Sequence, residues 1–231
     1  MTKLKFYYDL LSQPSRALFM FLKKNNIPFE PKPIHLLKGE HFSPEFESIN
    51  PFQKLPVIDD GGFILIESVA ILRYLCRTHN VANHWYPKDL KQQARVDEYL
   101  EWQHLNTRAH CALYVFQKIF VPIITQKPPN ETELTKLEKN VTTTLNLLNN
   151  VWLKDKQYLC GNEISIADIL AICEIEQTRI AGVDPYFERP ILSSWKARVE
   201  TFLNPFYDEA NMAIEKMADK YKNTKNIKSN L

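Results

Sequence analysis

The hydrophobic period of this chain changes once, near residue 79, and that change restricts the folds open to it. Up to Thr78 short extended segments alternate with helical ones. Beyond residue 88 every periodic stretch repeats by threes and fours. Strand and helix periods cannot stand in for one another. The chain therefore reads as two units: an α/β unit over residues 1–78 and an all-helical unit over 89–218. Residues 79–88 link them, and a lysine- and asparagine-rich tail over 219–231 is expected to be mobile.

In the first unit, Leu4 to Asp9 alternates and is rich in aromatics, as a strand should be. Ser12-Gln13-Pro14-Ser15 turns into a helix that runs from Arg16 to about Asn25, with serine as cap and proline in the first turn. Phe29 to Leu36 is extended, and Pro31 and Pro33 mark it as an edge or irregular strand. Lys38 to Ile49 reads as a loop with one helical turn. Pro56 to Asp59 and Phe63 to Leu65 form a hairpin across Asp60-Gly61-Gly62, and Glu67 to Thr78 is a helix. The order is β-α-β followed by β-β-α. The first pair of strands must be parallel, because a helix connects them, and the second pair antiparallel.

Leu55-Pro56 and Glu67-Ser68 stand out within that unit. A residue before proline is held in extended geometry. A helix N-terminus carries free N–H groups and partial positive charge. Together they suit an extended, anionic, peptide-like ligand; a strand opened by proline beside a capped helix is the plainer reading.

Bulk properties remove other classes. The chain has 231 residues, is 45% hydrophobic and 24% charged, and carries a formal net charge of +2, which points to no nucleic-acid partner. Cys76, Cys111, Cys160 and Cys173 lie far apart without a CxxC pair, so neither metal nor dithiol chemistry is indicated. His35, His79, His84, His104 and His110 lack metal-ligand spacing. No apolar run approaches membrane-spanning length, and the N-terminus has no signal-peptide core. These features make cytosol the expected location, with no membrane partner.

The second unit opens with a long helix from Lys88 to about Val121, which Pro122 should break or kink. A second helix spans Glu131 to Lys154. Ile164-Ser165-Ile166-Ala167-Asp168 has the form of a capping box opening a third, which runs to about Ile180. Further helices cover Pro190 to Leu203 and Pro205 to Ala218.

Four stretches combine into a family resemblance: Tyr8-Asp9-Leu10-Leu11-Ser12-Gln13-Pro14-Ser15-Arg16-Ala17, Asn50-Pro51-Phe52-Gln53-Lys54-Leu55-Pro56, Glu67-Ser68-Val69-Ala70-Ile71-Leu72-Arg73-Tyr74-Leu75, and Ala94-Arg95-Val96-Asp97-Glu98-Tyr99-Leu100. With Ile164 to Asp168 they resemble the cytosolic glutathione transferases, the theta class most closely, up to about Ala218. That resemblance implies a thioredoxin-like N-terminal domain that binds glutathione and an all-α C-terminal domain that supplies a second-substrate site. It implies transfer of glutathione thiolate to hydrophobic electrophiles, a detoxifying role in xenobiotic metabolism, or reduction of organic hydroperoxides. Glutathione would be a cosubstrate, with no permanently bound cofactor and no metal. The protein would be a homodimer with Val69 to Arg77 near its interface.

The same resemblance implies the residue roles. Ser12 would hold and activate the glutathione sulfur, with Gln13 beside it. His41 and Lys54 would meet the glycyl carboxylate. Leu55 would pair its backbone with the cysteinyl unit, permitted by a cis bond before Pro56. Glu67 and Ser68 would take the γ-glutamyl amine and carboxylate. Leu11, Arg108 and Phe116 would line the second-substrate pocket. Relatives of this class can carry a longer terminal segment that covers the site; with a short, polar tail here, a strong lid is not expected, and whether the tail covers the site stays open.

The chemistry is adequate. A free thiol has a pKa of about 8.5, and lowering it by about two units takes about 2.7 kcal/mol. One hydrogen bond to a charged group contributes roughly 1.5–3 kcal/mol. Plainer readings stand beside these roles. Ser12 can be only a helix cap, His41 and Lys54 surface residues, Glu67 a first-turn acid, and Arg108 an ion-pair residue. Tyr7 and Tyr8 compete for the sulfur, yet they point to opposite faces of a strand and are expected to pack. Asp168 is structural. Two other classes compete: a non-catalytic, hydrophobic-ligand-binding relative, and a thiol oxidoreductase. The second would need a cysteine where Ser12 stands.

Overall fold

The computed structural model describes residues 3–228, with side chains described through residue 219. Four strands, β1 (Leu4–Tyr8), β2 (Phe29–Pro33), β3 (Val57–Asp60) and β4 (Phe63–Leu65), form one sheet in the order β2-β1-β3-β4. β1 and β2 are parallel, joined through α1 (Gln13–Lys24); β3 is antiparallel to both β1 and β4. Between β2 and β3 the chain makes two 3-10 turns and the short α2 (Pro44–Glu47), a little more helix than the single turn expected. α3 (Ser68–Thr78) follows β4. β2 stops at Pro33, short of the expected Leu36, although Ile34 N–H still donates to the Tyr8 carbonyl at 2.9 Å.

The linker is anchored. Its Asn83–Trp85 turn buries the Trp85 indole against Phe21 of the first unit and Phe202 of the second. His84 Nδ1 lies 2.6 Å from the Ile164 carbonyl.

The long helix does not break at Pro122. It runs as α4 (Leu90–Gln103), a π-turn (His104–Arg108), α5 (Ala109–Val115), a second π-turn (Phe116–Phe120) and α6 (Val121–Thr125). The second π-turn has already shifted the hydrogen-bond ladder where proline lacks its N–H, so the chain continues past it. α7 (Glu131–Leu147) ends in another π-turn, Leu148–Trp152. α8 (Ile166–Gln177) is buried on every side. α9 (Pro190–Leu203) spans the expected residues, whereas α10 (Phe206–Lys228) continues beyond Ala218. The expected mobile tail is therefore helical as far as Lys228, since residues 219–228 include no proline or glycine to stop a helix. Residues 229–231 of that tail lie outside the described residues.

Asp168 explains why α8 starts where it does. Its carboxylate accepts from Ser165 N–H at 2.9 Å, Ser165 Oγ at 3.1 Å, Leu159 N–H at 2.9 Å and Trp195 Nε1 at 2.8 Å. Burial pushes this carboxyl up, and the four donors oppose that shift. The main hydrophobic core runs without a break from the sheet through α1 and α8 to α10, while Phe46, Leu55 and Val57 form a smaller cluster with Tyr7.

Candidate functional site

Strand register brings three separate loops to one end of the sheet. Tyr7 of β1 pairs with Val57 of β3, so the turn leaving β1 lies beside Leu55-Pro56, which enter β3. Leu65 of β4 pairs with Ile58, so Ile66 and Glu67 leave β4 at that same end. The Leu55–Pro56 bond is cis, as the resemblance implies.

Asp9 shapes the first loop. Its carboxylate accepts from Leu11 N–H and Leu36 N–H, both at 2.9 Å, and its carbonyl accepts from Ser12 N–H at 3.0 Å. Ser12 then caps α1 with a long contact of 3.4 Å from Ser15 N–H, and it is 8% exposed. Its own hydroxyl hydrogen finds no acceptor among the described residues. The first turn of α1 contains no acidic side chain, so the positive end of the helix dipole there is not offset locally. Gln13 is half-buried beside it.

Asn50 shapes the second loop. It is buried, its amide donates to the Lys54 carbonyl at 2.8 Å, and its side-chain oxygen accepts from Phe52 N–H at 3.1 Å. Gln53 takes a positive φ of 54°. Lys54 stays exposed while Leu55 and Pro56 are buried. His41 belongs to this corner. Burial, then the charge of Lys54, hold its imidazole below the ordinary value, with Asp9 opposing. Its Nδ1 is buried and has no hydrogen-bond partner.

In the third loop Glu67 takes φ +66° immediately before α3. That is an unfavoured conformation for a residue with a Cβ, and such conformations gather at functional sites. Glu67 is exposed and Ser68, the first residue of α3, is buried. The corner thus offers a hydroxyl donor at one helix start, a cation at the entry to a strand, and an acid at another helix start. Such an array can hold an extended ligand bearing both charges and stabilise an anionic atom near Ser12.

The rival nucleophile partners are poorly disposed. Tyr8 stacks on Phe6 and Phe19, and burial followed by the charge of Glu209 pushes its phenol up. Tyr7 packs against Phe46 on the opposite face. Burial raises all four cysteine thiols, to about 12 for Cys76 and Cys173. No group of three or more His, Cys, Asp or Glu among the described residues is arranged to hold a metal ion.

The three residues assigned to a second pocket are not all side by side. Leu11 and Arg108 both reach α8. Arg16, fully buried, donates from Nη1 to the carbonyls of Leu10 at 2.9 Å and Leu11 at 3.4 Å, and from Nη2 to the Cys173 carbonyl at 2.9 Å and Gln177 Oε1 at 2.7 Å. Arg108 Nη1 donates to Glu174 Oε1 at 3.2 Å. Phe116 lies two helical turns further on, 46% exposed, against Phe120. The sequence reading missed Asp9, Asn50 and Arg16 as organisers of these loops. Asn50 before a proline was a visible turn signal; nothing local marks Arg16, whose partners on α8 lie over 150 residues away.

Two family models match the chain: glutathione S-transferase, N-terminal domain, over residues 6–77, and glutathione S-transferase, C-terminal domain, over residues 113–201. Glutathione S-transferase theta-1 of Bos taurus is 43% identical over 217 residues, covering 94% of this chain and 90% of the relative. Theta-1 of Mus musculus is 44% identical over 220 residues, with the same coverage. The apo form of human glutathione S-transferase T1-1 superposes with a TM-score of 0.89 at 42% identity, covering 94% of this chain and 91% of that one. A human theta-class transferase in complex with the glutathione conjugate of 1-menaphthyl sulfate gives 0.91 at 36% identity, covering 97% and 92%.

Proposed function

Because the chain belongs to the glutathione S-transferase family, we propose that it is a theta-class enzyme whose Ser12 stabilises the glutathione thiolate for attack on hydrophobic electrophiles. The observation that carries this reading is Ser12 capping α1 with its hydroxyl hydrogen uncommitted, at the sheet end where Leu55-Pro56 and Glu67-Ser68 also emerge. Residues 1–78 bind glutathione, 79–88 link, and 89–218 carry the second-substrate site. Glutathione lies along the corner with its glycyl carboxylate toward Lys54 and His41. Its cysteinyl unit lies along the Leu55 backbone, and its γ-glutamyl end meets Glu67 and Ser68. Gln13 flanks the sulfur. Leu11, Arg108 and the more distant Phe116 contact the electrophile.

Ser12 acts as a donor, not as a nucleophile. The thiolate attacks the electrophilic carbon, the carbon–leaving-group bond breaks, and the leaving group departs with the electron pair. The hydroxyl and the N-terminal end of α1 favour the charged sulfur before attack.

A homodimer is part of the proposal. Phe63 and Ile64 of β4 are exposed, Phe63 against Tyr74 of α3, and Phe52 is exposed on its own loop. Exposed apolar side chains of this kind are what a second copy covers; sedimentation at micromolar concentration checks it. A cytosolic location follows from the family and is checked by fractionation.

The decisive experiment compares wild type with Ser12→Ala. Loss of one charge-assisted hydrogen bond should lower kcat/KM roughly 10–100-fold. The ultraviolet thiolate band of bound glutathione should then titrate near the free-thiol value. Equal, slow turnover by both proteins, with hydrophobic ligands still bound, would replace this reading with that of a non-catalytic binder.

A further inference from the structure

Glu174 is a buried titratable group that the mechanism above leaves unused. It lies on α8, is 1% exposed, and accepts from Arg108 Nη1 at 3.2 Å through one oxygen. Its other oxygen, Oε2, is buried and without a hydrogen-bond partner. Arg16 stands near; its Nη1 and Nη2 donate to carbonyls and to Gln177, while its Nε is buried without a hydrogen-bond partner. A half-satisfied buried carboxylate is poor support for a fold, because an apolar residue of similar size does as well or better. Arg108, in contrast, uses one N–H on Glu174 and remains 40% exposed.

We propose that Glu174 is a positioning residue that sets the charge of the second-substrate pocket: it fixes Arg108 in place and offsets its positive charge, so uncharged electrophiles are preferred over anionic ones. This deepens the function proposed above and rests on Arg108 facing that pocket. Support for that placement comes from Arg16, which ties the Leu10 and Leu11 carbonyls to Cys173, the residue before Glu174. The Ser12 turn and the Arg108–Glu174 pair are therefore mounted on the same stretch of α8.

The groups that face Glu174 are Arg16 from α1, Arg108 from the π-turn after α4, Cys111 from α5, and Cys173 beside it. The Tyr99 hydroxyl of α4 pairs with Thr107 Oγ1 at 3.2 Å, and the Trp195 indole of α9 donates to Asp168. Burial pushes the Glu174 carboxyl up to about 7, with Arg108 and then Arg16 opposing. Above that pH it is ionised and cancels Arg108. Below it is neutral, and the charge of Arg108 is left for a substrate anion. Preference for anionic electrophiles therefore rises as pH falls.

The test uses 4-(chloromethyl)benzoate and its methyl ester, which share one reacting centre and differ in charge. Values of kcat/KM are measured from pH 5.5 to 8 for wild type, Glu174→Gln, Arg108→Gln and the double variant. Taking the anion-to-ester ratio cancels titration of the glutathione thiol. In wild type the ratio should rise roughly tenfold as pH falls through 7, the effect of freeing one unit charge several ångströms away in a partly screened site. Glu174→Gln should hold the high ratio at every pH. Arg108→Gln and the double variant should hold a low, flat one. A purely structural Glu174 would lower both substrates alike and leave the ratio unmoved, which overturns the proposal, as does a flat wild-type ratio. If Arg108→Gln matches wild type for both substrates at every pH, the pocket reading of Arg108 has failed and this inference fails with it, while the Ser12 result stands. Should Glu174→Gln not fold, the wild-type and Arg108→Gln profiles decide alone.

Discussion

Lys54 and His41 sit in one corner but differ in charge at neutral pH, and under the proposed function that difference should separate their contributions to binding. Lys54 is exposed and cationic. The His41 imidazole is held below its ordinary value by burial and by Lys54, so near pH 7 it is neutral, with a buried, unpartnered Nδ1. For a group whose folded value is lowered, charge appears only at pH below the ordinary imidazole range. Lys54→Ala should therefore raise the glutathione KM about tenfold at pH 7, the loss of one charge-assisted contact. His41→Gln should change it little there. Steady-state glutathione titrations of both variants check this; a larger effect from His41 than from Lys54 would reverse the assignment. Residue types were legible in the sequence at these positions, since Ser12, Lys54, Glu67 and Ser68 stand inside recognisable stretches. Their electrostatic states were not, because His41 is depressed first by burial, which packing decides, and then by Lys54, thirteen positions away.

At the scale of elements, most boundaries follow from local chemistry. Ser12 with Pro14 starts α1, Ser165 with Asp168 starts α8, and Pro190 opens α9. Asp168 does more than its capping box requires, because it also accepts from Leu159 N–H and Trp195 Nε1. Asp168→Ala would strand several buried donors at about 1–3 kcal/mol each. Chemical denaturation should report a loss of roughly 3–5 kcal/mol, against little change in glutathione KM for whatever fraction folds. At Pro122, where a break or a kink is expected, the helix does not break. Proline in a helical pattern signals a break, yet the preceding π-turn had already displaced the hydrogen bond that proline cannot make. A π-turn has no strong sequence mark, so the continuity of that helix could not be read in advance. The last helix likewise outruns its expected end at Ala218 because a polar composition alone does not stop a helix.

For the whole molecule, the two units share one hydrophobic core, which runs from Leu4 to Ala218. Trp85 sits in the linker between Phe21 and Phe202, and Arg16 reaches from α1 into α8. Unfolding should accordingly be a single transition by tryptophan fluorescence and by far-ultraviolet circular dichroism. Trp85→Ala should lower its free energy by about 3–5 kcal/mol and separate the two signals; coincident curves and an unchanged midpoint would show that the linker contributes nothing to the coupling. By itself the sequence determined the class of each segment, the two-unit order and the stretches that mark the family, because hydrophobic period, prolines and caps act over a few residues. Only the tertiary structure decided which side chains meet. Strand register carries Ser12, Lys54 and Glu67 to one sheet end, and burial of α8 brings Glu174 to Arg108 across 66 positions. Those meetings depend on packing between elements, which no local pattern encodes.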